Sequence, residues 1–63
     1  MKNSPHDVVD IRPVKYYWRE WYTRVTEASG KVWHYEPLNT EWAARQLGKI
    51  LALAFKQSGR MRP

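Results

Sequence analysis

Arg45, Lys49, Lys56 and Arg60 fall within about 60° of one another when residues are placed every 100° around a helix. They form one line of positive charge, and such a line can track the phosphates of a nucleic acid. The same line would also suit a helix that merely exposes charge to water. The sign bias speaks for a polyanion, because five bases and one acid follow Pro37, where a solvated helix mixes Glu with Lys. A second mixture lies upstream. Lys15-Tyr16-Tyr17-Trp18-Arg19, and then Arg24, Lys31, Trp33 and Tyr35, interleave cations with aromatic rings, which offers charge, hydrogen bonds and stacking to sugar, phosphate and base. Trp and Tyr are equally ordinary strand residues in a small domain, so the same rings can serve packing instead.

Other chemistry finds little to work with. The absence of cysteine removes disulfides, Fe–S clusters, thiolate zinc and thiol nucleophiles together. His6 and His34 have no serine or acid at a spacing that implies a triad. Gly30, Gly48 and Gly59 stand alone and form no phosphate-cradling loop, and the four Glu after Arg19 are scattered singly as surface ion-pair formers. The chain therefore reads as a binding protein without catalytic activity, metal or cofactor.

The elements that must hold these residues are legible from pattern. Sixty-three residues allow one small domain. A net charge of +5 and a pI near 9.9 fit a polyanionic partner. The opening MKNSPHDVVD does not read as a secretion signal, and no run approaches the ~20 apolar residues of a membrane span. Residues 1–7 read as a flexible tail. Val8 to Val14 can form a strand, which Pro13 confines to an edge. From Tyr16 to Tyr35 the Trp, Tyr, Val and Thr content predicts strands. Glu27-Ala28-Ser29-Gly30 supplies a turn, and pairing Thr26 with Lys31 puts Val25 opposite Val32, Arg24 opposite Trp33 and Thr23 opposite His34. One face then shows Trp21, Thr23, Val25, Val32 and His34, and the other Tyr22, Arg24, Thr26, Lys31, Trp33 and Tyr35. Thr40 is an N-cap candidate for a helix over 40–58, with Gly59 as its C-cap. Ala43, Ala44, Leu47, Ile50, Leu51, Ala54 and Met61 fall on its apolar face, with Phe55 at the margin. Gly48 in mid-helix suggests close approach of another element. Residues 59–63 form a basic tail. The expected fold is α+β, a three-stranded antiparallel sheet packed on one C-terminal helix. Its core is assigned to Trp21, the valines, Leu38, Leu47, Ile50, Leu51 and Phe55.

Trp21, Val25, Gly30-Lys31 and the helix opening Thr40-Glu41-Trp42-Ala43-Ala44 resemble the small three-stranded DNA-binding modules of the AP2 type and the arm-binding domains of tyrosine recombinases from phages and integrative elements. In those modules the sheet enters the major groove, so the resemblance implies a DNA-facing role for Arg19, Arg24, Lys31 and Trp33. The chain departs from them in placing Glu36-Pro37 where glycine commonly precedes the helix, and in carrying its basic excess on the helix. The expectation is a small cytoplasmic DNA-binding or regulatory accessory protein, monomeric or homodimeric, of phage or mobile-element type. Its nucleic-acid-binding residues would be Arg19, Arg24, Lys31, Trp33, Arg45, Lys49, Lys56 and Arg60, and its partner double-stranded DNA. The alternative is a module that modulates a host enzyme through exposed Trp18, Trp33 and Trp42, since Trp, Tyr and Arg dominate protein interfaces.

Overall fold

The computed structural model describes residues 4–16, 18 and 20–61. Its elements run β1 (Val8–Tyr16), β2 (Glu20–Glu27), β3 (Val32–Leu38) and α1 (Glu41–Gln57). The strands form one antiparallel sheet in the order β1-β2-β3, and α1 lies across one face, chiefly over β1 and β2. This is the expected α+β arrangement. Pro13 sits in edge strand β1, where a missing N–H costs no ladder bond. Among the described residues no helix is long and apolar enough to cross a membrane.

The helix starts and stops on its caps. Thr40 has extended backbone, and its hydroxyl accepts a hydrogen bond from the Ala43 N–H at 3.0 Å. Past Ser58, Gly59 takes φ +80° and turns the chain back, so that the Arg60 and Met61 N–H groups both donate to the Phe55 carbonyl. Gly48 is where helix and sheet meet most closely. A Cβ there would stand 3.3 Å from Ile11 Cγ2 and 3.6 Å from Thr23 Cγ2, the close approach that a glycine in mid-helix suggests. Beside it the buried Thr23 hydroxyl donates to the Ala44 carbonyl at 2.7 Å and ties the central strand to the helix.

The β2–β3 register differs by one residue from the expected one. Thr26 pairs with Val32, Val25 with Trp33, Arg24 with His34 and Thr23 with Tyr35. The Gly30 N–H donates to the Glu27 carbonyl, the Glu27 N–H donates to the Lys31 carbonyl, and Gly30 has φ +94°. That is the three-residue hairpin loop in which a glycine at positive φ adds one residue to the second strand. Since side chains alternate, the extra residue exchanges the two faces of β3 and leaves those of β2 unchanged. Trp33 and Tyr35 therefore join Thr23 and Val25 on the helix side, while Val32 and His34 join Arg24 on the open side. A second irregularity sits at the other end of β3, where Trp21 pairs with Leu38 and two residues, Glu36 and Pro37, face Tyr22 alone. Glu36 has φ +31°, a conformation that glycine adopts more readily.

The interior is small. Val8, Thr23, Val25, Glu27 and Ala44 are the buried residues among those described. Trp21, Leu38, Leu47, Leu51 and Phe55 contribute half-buried bulk around them. Ile50, assigned to the core from the helical wheel, is 65% exposed. On the helical wheel Ile50 lies about 120° from Ala44, the fully buried residue of α1, and so points away from the sheet. Of the tail expected over residues 1–7, residues 1–3 lie outside the described residues and residues 4–7 are tied down. The Ala28 and Ser29 N–H groups donate to the carbonyls of Asp7 and Pro5, and the Val8 N–H donates to the Arg60 carbonyl at 2.7 Å.

Candidate nucleic-acid interface

The face of the sheet that α1 leaves open carries the densest set of hydrogen-bonding side chains. Arg12, Arg24 and His34 are direct cross-strand partners on β1, β2 and β3, so they form one row across all three strands. Partners in an antiparallel ladder share a face at about 5 Å spacing. Towards the end of the sheet that holds the β1–β2 connection lie Tyr16 and Tyr22. The Tyr16 hydroxyl and His34 Nε2 share a 2.7 Å hydrogen bond. The rings of Tyr16, Tyr22 and His34 meet edge to face, with centroids 4.9–6.1 Å apart. Tyr22 donates its hydroxyl proton to Glu20 at 2.7 Å. Arg12 forks onto Asp10 at 2.7 and 3.1 Å, and this hydrogen bond, with the charge of the carboxylate, raises the guanidinium pKa above its already high ordinary value. Arg24 stands at the centre of the row. Its Nε is buried and has no hydrogen-bond partner, alone among the side-chain polar atoms of the described residues.

The residues expected to meet DNA are divided between surfaces. Arg24 is on the open sheet face. Lys31 and Trp33, expected beside it, belong to the helix side because of the register change, and the Lys31 ammonium lies 5.1 Å from the Trp33 ring centroid. Lys15 repeats this arrangement at the diagonally opposite corner, 5.8 Å from the ring of Trp21. Arg19 lies outside the described residues. On α1, Arg45 forks onto Glu41 one turn earlier, with Nε at 3.0 Å, and Lys49 and Lys56 are exposed on the outer surface. Arg60 is not on the helix at all, since α1 ends at Gln57. Its guanidinium donates to Glu27 at 2.8 Å and to the His6 carbonyl at 3.2 and 3.3 Å, and packs 4.9 Å from the Phe55 ring. The four-cation helical line therefore reduces to Arg45, Lys49 and Lys56, and the first of these already has a carboxylate partner.

Arg12 and His34 were not among the expected contacts. The alternation Asp10, Arg12, Val14, Tyr16 in β1 was the available signal for Arg12. For His34 it was the glycine in the hairpin loop, which fixes the face of β3.

A cavity of about 260 Å³ between β1 and α1 is floored by Ile11, Pro13, Gly48, Ala52 and Met61, with Arg12, Arg45 and Lys49 at its rim. No hydroxyl, imidazole or carboxylate side chain is among its lining residues. Among the described residues no three His, Asp or Glu side chains are grouped as metal ligands would be. Comparison with protein-family models, with curated proteins and with solved structures gives no match, so the resemblance to three-stranded DNA-binding modules rests on the residues themselves.

Proposed function

We propose that the chain is a small DNA-binding accessory protein without catalytic activity, and that it docks with the open face of its sheet. The observation that carries this reading is the Arg12–Arg24–His34 row on that face, which sets two guanidinium groups and an imidazole side by side across all three strands. Strands about 4.8 Å apart give a three-stranded sheet a width of about 10 Å between its outer strands, which suits a major groove about 12 Å wide. Arg24, on the middle strand, is the base-reading candidate, because an arginine fork matches the O6 and N7 acceptors of guanine. Arg12 would exchange its exposed carboxylate partner for a phosphate at little cost, since an ion pair in open water contributes little to stability. Lys15 and Lys31 lie over Trp21 and Trp33 on the helix side of the sheet and stay clear of a duplex on the open face. Lys49 and Lys56 face the opposite side of a two-layer molecule and cannot meet the same duplex in that pose. The apolar side chains on the outer surface of α1 favour a second reading, engagement of a protein partner.

The test is fluorescence anisotropy with a labelled duplex pool across a salt series. The single phosphate contact of this pose, by Arg12, predicts a slope of log K against log salt of about −1. Arg24→Ala should flatten sequence preference by about 1–3 kcal/mol per contacted base pair, and Lys49→Gln with Lys56→Gln should leave the slope unchanged. A slope shallower by about 2 in that double variant would move the docking surface to the helix. Absence of salt-sensitive binding to any duplex at low ionic strength would remove the nucleic-acid reading.

A further inference from the structure

Trp42, Ile50 and Leu53 project from the outer surface of α1, 70%, 65% and 59% exposed. On the helical wheel they occupy a sector of about 80°, with Gln46 and Gln57 between them and Lys49 and Lys56 along one border. Single exposed hydrophobic residues are ordinary, but three large ones gathered in one sector of a single helix mark a candidate interaction surface. The contrast within this chain sharpens the point. Its buried apolar residues are Val8, Val25 and Ala44, so a molecule with little core leaves a Trp, an Ile and a Leu outside together.

We propose that this strip is the docking surface for an acidic amphipathic helix of another protein. Its apolar side chains would lie over Trp42, Ile50 and Leu53, and its carboxylates would meet Lys49 and Lys56. The charge pattern selects the occupant. A second copy of the chain is disfavoured, because residue 49 is the midpoint of Glu41–Gln57 and an antiparallel pairing of two α1 helices sets Lys49 against Lys49 across the two-fold axis. It would also bring together two chains of +5 each. An acidic segment instead gains from both lysines and from the overall field. The strip from Trp42 to Leu53 is about 17 Å long, which a partner helix of three turns covers with anchors spaced three and four residues apart. This surface lies on the far side of the molecule from Arg24, so the inference does not depend on the nucleic-acid reading.

The probe is a fluorescein-labelled synthetic helical peptide with leucines at three- and four-residue spacing on one face and glutamates along its border. It is titrated with the full chain, and amide shifts are mapped by NMR. Saturable binding with shifts confined to the α1 side is expected. Trp42→Ala with Leu53→Ala should weaken it about tenfold or more, as loss of anchor side chains does. Lys49→Glu with Lys56→Glu should weaken it similarly and transfer preference to a lysine-bordered peptide, and Arg24→Ala should change nothing. All four helix positions are exposed, so circular dichroism should show the variants folded. The proposal is overturned if a scrambled peptide of the same composition binds equally well, or if no saturation is reached at about 1 mM peptide. It is also overturned if charge reversal leaves affinity unchanged. Concentration-dependent dimerisation abolished by the Trp42 and Leu53 changes would assign the strip to a second copy instead. Co-sedimentation with phosphatidylserine vesicles, without peptide binding, would assign it to a membrane.

Discussion

Replacing Arg60 with Gln should unfold this protein more readily than it weakens any surface attraction. Glu27 is 3% exposed, and its charge is met by the Arg60 guanidinium at 2.8 Å. Ser29 donates to the other carboxylate oxygen at 3.3 Å, and His6 Nδ1 stands 3.8 Å away with its side chain in water. Removing one partner of a buried pair costs about 3–5 kcal/mol, because the other charge is left without compensation. Arg60 is itself 39% exposed, so solvent already weakens the pair, and a loss of about 2–3 kcal/mol is the better expectation. A domain of this length has a total stability of about 3–9 kcal/mol. At about 4–8 °C per kcal/mol, the melting temperature should fall by roughly 10–20 °C. The backbone bonds from Val8 to the Arg60 carbonyl and from Arg60 to the Phe55 carbonyl do not involve the side chain and should survive. Thermal and urea melts followed by circular dichroism measure the loss, with DNA affinity read separately in conditions where the variant is folded. Adding Glu27→Gln should recover part of the stability, since the orphaned charge is then gone. An Arg60→Gln variant that melts as the parent does, but binds DNA more weakly, would refute the reasoning and return Arg60 to the phosphate-tracking line.

Ile50→Ser should change stability by less than about 0.5 kcal/mol, as exposed substitutions do. Leu51→Ala should cost about 2 kcal/mol, the low end for a leucine truncation at a half-buried site. Equal costs in urea titrations would mean that Ile50 is covered in solution. Thr23→Val keeps the shape but removes the donor to the Ala44 carbonyl, and should cost about 1 kcal/mol; a more stable variant would show that this buried hydrogen bond does not anchor the helix. Glu36→Gly should stabilise by about 0.5–1 kcal/mol by relieving a positive φ, and a lower melting midpoint would show that the Glu36 side chain does more than occupy a strained bulge.

The fold was readable because each local signal pointed the same way. Thr40 caps a helix start, Gly59 turns the chain at its end, Pro13 marks an edge strand, and Gly48 in a helix of good formers marks a close contact. The face of β3 was not readable from composition, because both alternations of that strand offer an apolar side chain and a hydrogen-bonding group. Trp33 with Tyr35 and Val32 with His34 are equally good inward pairs until the loop geometry is fixed. Gly30 decides it, through one residue added by a positive φ. The misplacement of Ile50 has a different origin. A helical wheel finds the apolar sector but not how much of it the rest of the chain can cover, and here three strands cover only part of it. Arg60 falls outside the helical line because Gly59 turns the chain before it.

The distribution of cations explains why net charge alone misdirects a reading of this surface. Much of the basic excess has internal employment: Arg60 neutralises Glu27, Arg12 and Arg45 hold Asp10 and Glu41, and Lys15 and Lys31 lie over Trp21 and Trp33. A domain with so few buried apolar residues needs these contacts, because a lysine stem over an indole covers ring surface that no second layer of side chains reaches. What remains directed outward, among the described residues, is Arg24 in the middle of the sheet and Lys49 and Lys56 on the helix. These stand on opposite sides of the molecule and differ in chemistry. Arg24 is a planar fork flanked by His34, Tyr16 and Tyr22, suited to hydrogen-bonding edges. The lysines are point charges beside an apolar strip, suited to carboxylates above a hydrophobic contact. A single polyanion would account for the cations on either side, but not for the exposed Trp42, Ile50 and Leu53. The two proposed partners, a nucleic acid on the sheet and an acidic protein segment on the helix, would together account for all six residues.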